Sequence, residues 1–280
     1  MKLSVKALLL FSLVVTAVLS ADLPFDPSRG LVEIEVVLDG AVKGRFGIDT
    51  GADRLYIDQE FAEKNNLKFA PFQAQRDVTG IDGSSPARSI SLKSLQFGDQ
   101  TLENLKATAI DMRGVITDQR AGVPDGLIGY DVLRNFFVSV DYPAKTIELE
   151  DEPPDFLTGK RYETVPYRTY RHLIIVDAVF NDDVSAPMLL DYCASVTVVS
   201  PALAEQMDLV LEPREVGFVS TIEIGDGVSS DSVATVIADL TAFKRSTPRG
   251  EFEGILGATF LRNHRVTIDY AQQQIYFRHK

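Results

Sequence analysis

The chain has 280 residues, 45% of them apolar, enough to form one large or two modest domains around a packed core. Its formal net charge of −12, with no basic stripe to offset it, argues against nucleic acid or anionic lipid as a partner, because either polyanion would be repelled. A lone cysteine, Cys193, leaves no internal disulfide, so stability has to come from packing.

At the amino end, Lys2 and Lys6 precede an apolar run from Ala7 to Leu19 and then the small residues Ser20 and Ala21. This is the pattern of a secretory signal peptide over 1–21, cut after Ser20 or Ala21. The run is shorter than the about 18 to 20 residues that cross a bilayer, so the expectation is an exported protein, periplasmic or secreted, with no stable membrane insertion after cleavage. Alternating apolar residues at Val32, Ile34, Val36 and Leu38, the turn pair Asp39-Gly40 and a second extended run toward Ile48 predict a β-hairpin. Then come Asp49-Thr50-Gly51-Ala52, the apolar Leu55-Tyr56-Ile57, and a helical period over Gln59 to Leu67. A Gly-rich stretch follows from Val78 to Ser85, then Leu102 to Leu105, then Gly126-Leu-Ile-Gly129. The turn-rich connector containing Asp151-Glu-Pro-Pro-Asp155 marks a boundary between a first lobe, 22–150, and a second, 165–280, with 151–164 as linker.

The second lobe repeats the first. Asp49 to Leu67 aligns without gaps on Asp191 to Leu209, matching Asp49 with Asp191, Ala52 with Ala194 and Leu67 with Leu209; Pro201 to Leu209 repeats the helical period. A second block, Gly126 to Leu149 on Gly254 to Phe277, shares about nine of about 24 positions, including Leu-Arg-Asn and an Asp-Tyr pair in each copy (Asp141-Tyr142, Asp269-Tyr270). Average composition would give roughly one or two by chance. Short β-branched and aromatic runs broken by turn formers make the fold mainly β, in two related lobes with short helices.

On these residues the chain resembles the retropepsin-like and pepsin-like aspartic proteases, in which each lobe carries an Asp-Thr-Gly loop and a later hydrophobic-hydrophobic-Gly segment. The order of motifs in the first lobe matches that of bacterial, exported members. The resemblance implies an acid-protease fold of two duplicated β-barrel lobes and an endopeptidase that hydrolyses peptide bonds of a polypeptide substrate with an activated water and no cofactor or metal. Asp49 and Asp191 would be the catalytic carboxylates, with Thr50, Gly51, Ala52, Tyr192 and Cys193 supporting their loops. The Gly-rich stretch Thr79, Gly80, Ile81, Asp82, Gly83 and Ser84 would be the tip of a flap over the substrate, or else an exposed turn.

Two carboxylates within hydrogen-bonding distance cannot both ionise readily, so the pair shares a proton and one member acts as base while the other acts as acid. Asp191 departs from the pattern, because Tyr192 and Cys193 stand where the family has Thr and Gly. Tyr cannot supply the same small hydroxyl brace, and a residue other than Gly is expected to strain or alter the turn. Asp191 is then either active in an altered loop or a relic in a lobe kept for binding. Cys193, beside carboxylates, reads as a small buried filler rather than a nucleophile, and Asp141 and Asp269 read as turn formers. His172, His264 and His279 have no metal-ligand spacing, and neither a His-Glu-x-x-His nor a Gly-x-Ser-x-Gly segment occurs. A monomer is expected in preference to a homodimer. The alternatives are a dyad built from Asp49 of two chains, and a non-catalytic exported peptide-binding protein with a protease-like fold.

Overall fold

The structure is a computed structural model, and it describes residues 22–71, 76–79, 84–114, 122–159, 161–212, 215–246 and 252–278. The expected leader, 1–21, lies outside the described residues, as do Gly80, Ile81, Asp82, Gly83 and His279.

The first half of the chain supplies β1 (Leu23–Pro24), β2 (Glu33–Leu38), β3 (Val42–Ile48), β4 (Tyr56–Asp58), β5 (Arg76–Thr79), β6 (Ser84–Phe97), β7 (Gln100–Ile110), β8 (Gly126–Ile128), β9 (Phe137–Asp141) and β10 (Thr146–Glu150). Helix α1 (Gln59–Lys64) follows β4 and α2 (Tyr130–Leu133) follows β8. The second half gives β11 (Tyr162–Pro166), β12 (Arg168–Tyr170), β13 (Leu173–Phe180), β14 (Val184–Leu190), β15 (Thr197–Val199), β16 (Gly217–Ile224), β17 (Val228–Ile237), β18 (Gly254–Leu256), β19 (Arg265–Asp269) and β20 (Gln274–Arg278). With them come α3 (Pro201–Gln206), α4 (Thr241–Ser246) and α5 (Ala258–Leu261). Strand β11 begins inside the span expected to be linker, because Tyr162 to Pro166 pair with β20.

Each half closes a six-strand β-barrel, as the sequence predicts. In the first the order β2-β3-β8-β4-β7-β6 is closed by pairing of β2 with β6, and β5 extends the β6 edge. In the second the order β13-β14-β18-β15-β17-β16 is closed by β13 on β16. Strand β2 follows the period-two rule: Ile34, Val36 and Leu38 are buried while Glu35 between them is exposed. Helices α1 and α3 begin where side chains cap them, Asp58 accepting from the Phe61 N–H and Ser200 from the Leu203 N–H.

A third sheet joins the lobes, ordered β1-β10-β9-β19-β20-β11, so the two halves contribute equally on either side of the β9–β19 seam. Val138 faces Ile268 and Val140 faces Val266 across that seam, and between them the buried hydroxyls of Ser139 and Thr267 meet at 2.7 Å. One apolar cluster runs from Ile34 and Phe46 in the first barrel through Val138 and Ile268 to Phe180 and Phe260 in the second. Continuous packing of this kind holds the two halves of the site in register.

Candidate active site

Asp49 leaves the end of β3 and Asp191 the end of β14, and the two loops are built by the same bonds. The Asp49 N–H donates to Ile128 O (3.0 Å) and the Asp191 N–H to Leu256 O (3.1 Å); Tyr130 N–H donates to Ala52 O (2.9 Å) and Ala258 N–H to Ala194 O (2.8 Å). Strands β8 and β18 slot in parallel beside β3 and β14, which explains the repeated hydrophobic-hydrophobic-Gly segment. A Cβ on Gly129 would lie 2.4 Å from Arg54 O, and one on Gly257 2.5 Å from Val196 O, so only glycine lets each strand pass beneath its loop.

The two carboxylates converge on Gly51. Its N–H donates to Asp49 Oδ1 at 2.8 Å, and a Cβ there would stand 2.9 Å from Asp191 Oδ2 and 3.3 Å from Asp49 Oδ1. In the second loop the Cys193 N–H donates to Asp191 Oδ1, also at 2.8 Å. Cysteine therefore serves as glycine does, and its φ is not in the left-handed region, so the expected strain at this position is absent. Its thiol lies against Gly47 in an apolar patch with Ala52, Tyr56, Met112 and Leu127. Burial, then the charges of Asp49, Asp191 and Glu33, push that thiol well above its ordinary pKa, which leaves it un-ionised.

Burial also dominates the carboxylates. It raises Asp49 well above the usual range, the charge of Asp191 adds to this, and the N–H groups of Gly51 and Ala52 oppose it. Asp191 is only 9% exposed, and burial lifts it to about 6 against the pull of the Cys193 and Gly51 N–H groups and the Thr50 hydroxyl. Such a pair keeps a proton where an isolated aspartate would have lost it.

Thr50 bridges the lobes. Its hydroxyl, fully buried, donates to Leu190 O at 2.9 Å and accepts from the Tyr192 N–H at 3.2 Å. The mirror-image bridge is missing, as the sequence suggests: the Tyr192 side chain is buried and its hydroxyl donates to Val266 O at 3.0 Å, into β19. Tyr192 thus ties its loop to the interlobe sheet instead of to the opposite loop. Of the candidate flap residues, Thr79 and Ser84 are the pair of the β5–β6 hairpin next to its turn, and Val78 beside them and Ala87 at the base pack on the apolar patch with Ala52 and Tyr56. The turn between Thr79 and Ser84 lies outside the described residues.

Three side chains near the site escape the sequence argument. Tyr142 and Tyr270, the repeated tyrosines, bury their hydroxyls without a hydrogen-bond partner among the described residues. Burial raises both phenols, with Asp191 next for Tyr142, and Tyr167, then Asp49 and Asp191, for Tyr270. Asp141 and Asp269 do act as turn formers, accepting from Ala144 N–H and from Ala271 and Gln272 N–H. His172 reaches across from the second lobe to Gly51 O at 2.9 Å. The signal available for it was positional: it sits as far before Asp191 as Gly30 does before Asp49. Among the described residues no group of three or more His, Cys, Asp or Glu side chains could hold a metal ion.

Residues 34–132 match the family model described as aspartyl protease. The matched segment holds the Asp49 loop, the β5–β6 hairpin and Gly129, and the duplicated pair of barrels fits a retropepsin-like fold. Aspartic protease activity is the family-level function this match supports. No curated protein matches the chain.

Proposed function

We propose that this chain, an aspartyl-protease lobe joined to a second barrel in a duplicated retropepsin-like fold, is a single-chain endopeptidase whose dyad is Asp49 and Asp191. The observation that carries the reading is the convergence of both carboxylates on Gly51, inside one chain. The ionised member takes a proton from a water, which attacks the scissile carbonyl, and the protonated member donates to the developing oxyanion. Because Asp191 already fills the place opposite Asp49, a dyad from Asp49 of two chains is disfavoured. The polypeptide would lie extended between the lobes, its backbone pairing with the β5–β6 hairpin.

Wild-type protein should cleave a mixed peptide library somewhere between about pH 3 and 8, where carboxyl pairs titrate, and Asp49→Asn and Asp191→Asn should each abolish cleavage. Full activity in Asp191→Asn overturns the intramolecular dyad. The one-sided Thr50 bridge favours a second reading, a peptide-binding protein without catalysis; binding of library peptides without cleavage at any pH selects it. Export rests on Lys2, Lys6 and the apolar run to Leu19 alone, and amino-terminal sequencing of protein recovered outside the cytoplasm tests it.

A further inference from the structure

The geometry points to His172 as a positioning residue of the dyad, holding from the second lobe the Gly51–Ala52 peptide unit that faces Asp49. This rests on the endopeptidase reading and extends it to a residue the repeat does not duplicate. His172 sits on the turn between β12 and β13, just after Arg171, whose positive φ of 56° turns the chain toward the other lobe. Its Nε2 lies 2.9 Å from Gly51 O. A carbonyl can only accept, so Nε2 carries the proton in this contact.

The bonded carbonyl belongs to the peptide whose other end is the Ala52 N–H, one of the two donors that hold Asp49 toward its charged form. A hydrogen bond accepted by Gly51 O polarises that peptide and strengthens its N–H as a donor. It also fixes the loop from the side that the Thr50 bridge does not reach. The groups facing the imidazole are the Tyr130 ring, 6.5 Å away, and the charges of Asp53, Arg171 and Arg54. Burial, opposed by Gly51 O and Asp53, depresses the imidazole below its ordinary pKa, so the contact is made by the neutral ring at neutral pH.

The repeat mate of His172 is Gly30, at φ +73°, where even a Cβ would come within 3.0 Å of the Ser195 Cβ. Gly30 has no side chain to reach across, so the His172 bond to Gly51 O has no twin at the equivalent position, and the surroundings of the two carboxylates differ there.

The test compares His172→Gln, which keeps an amide donor at similar reach, with His172→Ala and with His172→Leu, which fills the space without a donor and stands in if the alanine variant does not fold. Two readouts are taken: kcat and KM for peptide cleavage, and the pH at which the stability gained by adding Asp191→Asn levels off in each background. Loss of the donor should lower kcat about tenfold to a hundredfold with KM little changed and move that pH upward, and Gln should restore both. Wild-type kcat and an unmoved stability midpoint in Ala or Leu overturn the proposal, as does a folded Gln variant as impaired as Leu. If wild type cleaves no peptide, the endopeptidase reading fails separately, and the stability midpoint alone decides the role of His172.

Discussion

Replacing Asp191 by Asn should make the protein more stable at neutral pH while destroying activity. A carboxyl lifted from 3.8 in the unfolded chain to about 6 in the fold keeps its proton longer when folded, so its contribution to stability is complete below about pH 3.8 and is lost as pH rises through about 6. At 1.36 kcal/mol per pKa unit, the ionised group costs about 3 kcal/mol at pH 7. The amide cannot ionise, and its oxygen still accepts from the Cys193 N–H. For a chain of this size about 2 to 4 °C follows each kcal/mol, so the variant should melt about 6 to 12 °C above wild type near pH 7 and level with it near pH 4. Thermal unfolding across that range measures the difference. An advantage of the same size at both pH values, or none at either, would refute the burial argument for the pair.

Gly51→Ala should abolish cleavage in a folded protein, because the new Cβ enters the space 2.9 Å from Asp191 Oδ2 and forces the carboxylates apart; circular dichroism beside the peptide assay checks both halves of the claim. Thr50→Val leaves Leu190 O and the Tyr192 N–H buried without their shared partner, at about 1–3 kcal/mol for each group, whereas Thr50→Ser should recover most of it in urea unfolding. Cys193→Gly should keep activity, since the backbone N–H does the bonding to Asp191 and the φ is ordinary. In the wild type, alkylation of Cys193 should be slow near neutrality and accelerate only as pH rises, because its raised pKa withholds the thiolate.

Much of the architecture is legible in the residues because the fold is written twice. Alternation in β2, the Asp39-Gly40 turn, the helical period after Asp58 and the paired Gly129 and Gly257 are all local or repeated signals. What was not legible depends on where a side chain goes after leaving its own loop. Nothing next to Tyr192 reveals that its hydroxyl ends on Val266 O in β19. Strain at Cys193 was a reasonable expectation for a missing glycine, yet the glycine of the first loop is needed for room beside Asp191 and not for a left-handed backbone. Spacing tests His172 only as a metal ligand, since its mate is Gly30 and identity matching passes over it. Helix α4 lies against β5, a contact between segments far apart in sequence that no local period announces.

The interlobe sheet also sets the order in which the protein can be finished. Asp49 and the barrel beneath it leave the ribosome early, but β9 gains its far neighbour only when β19 arrives, and β19 is held on its other side by β20, the last of the described strands. Contacts so distant in sequence close slowly and late. A nascent or truncated chain without its last two strands can display the Asp49 loop, but it lacks the seam that fixes Asp191 opposite. On the proposed dyad, hydrolytic competence is thereby deferred until β19 and β20 have both been made, and removing β20 should leave a first lobe that folds in part and cuts nothing.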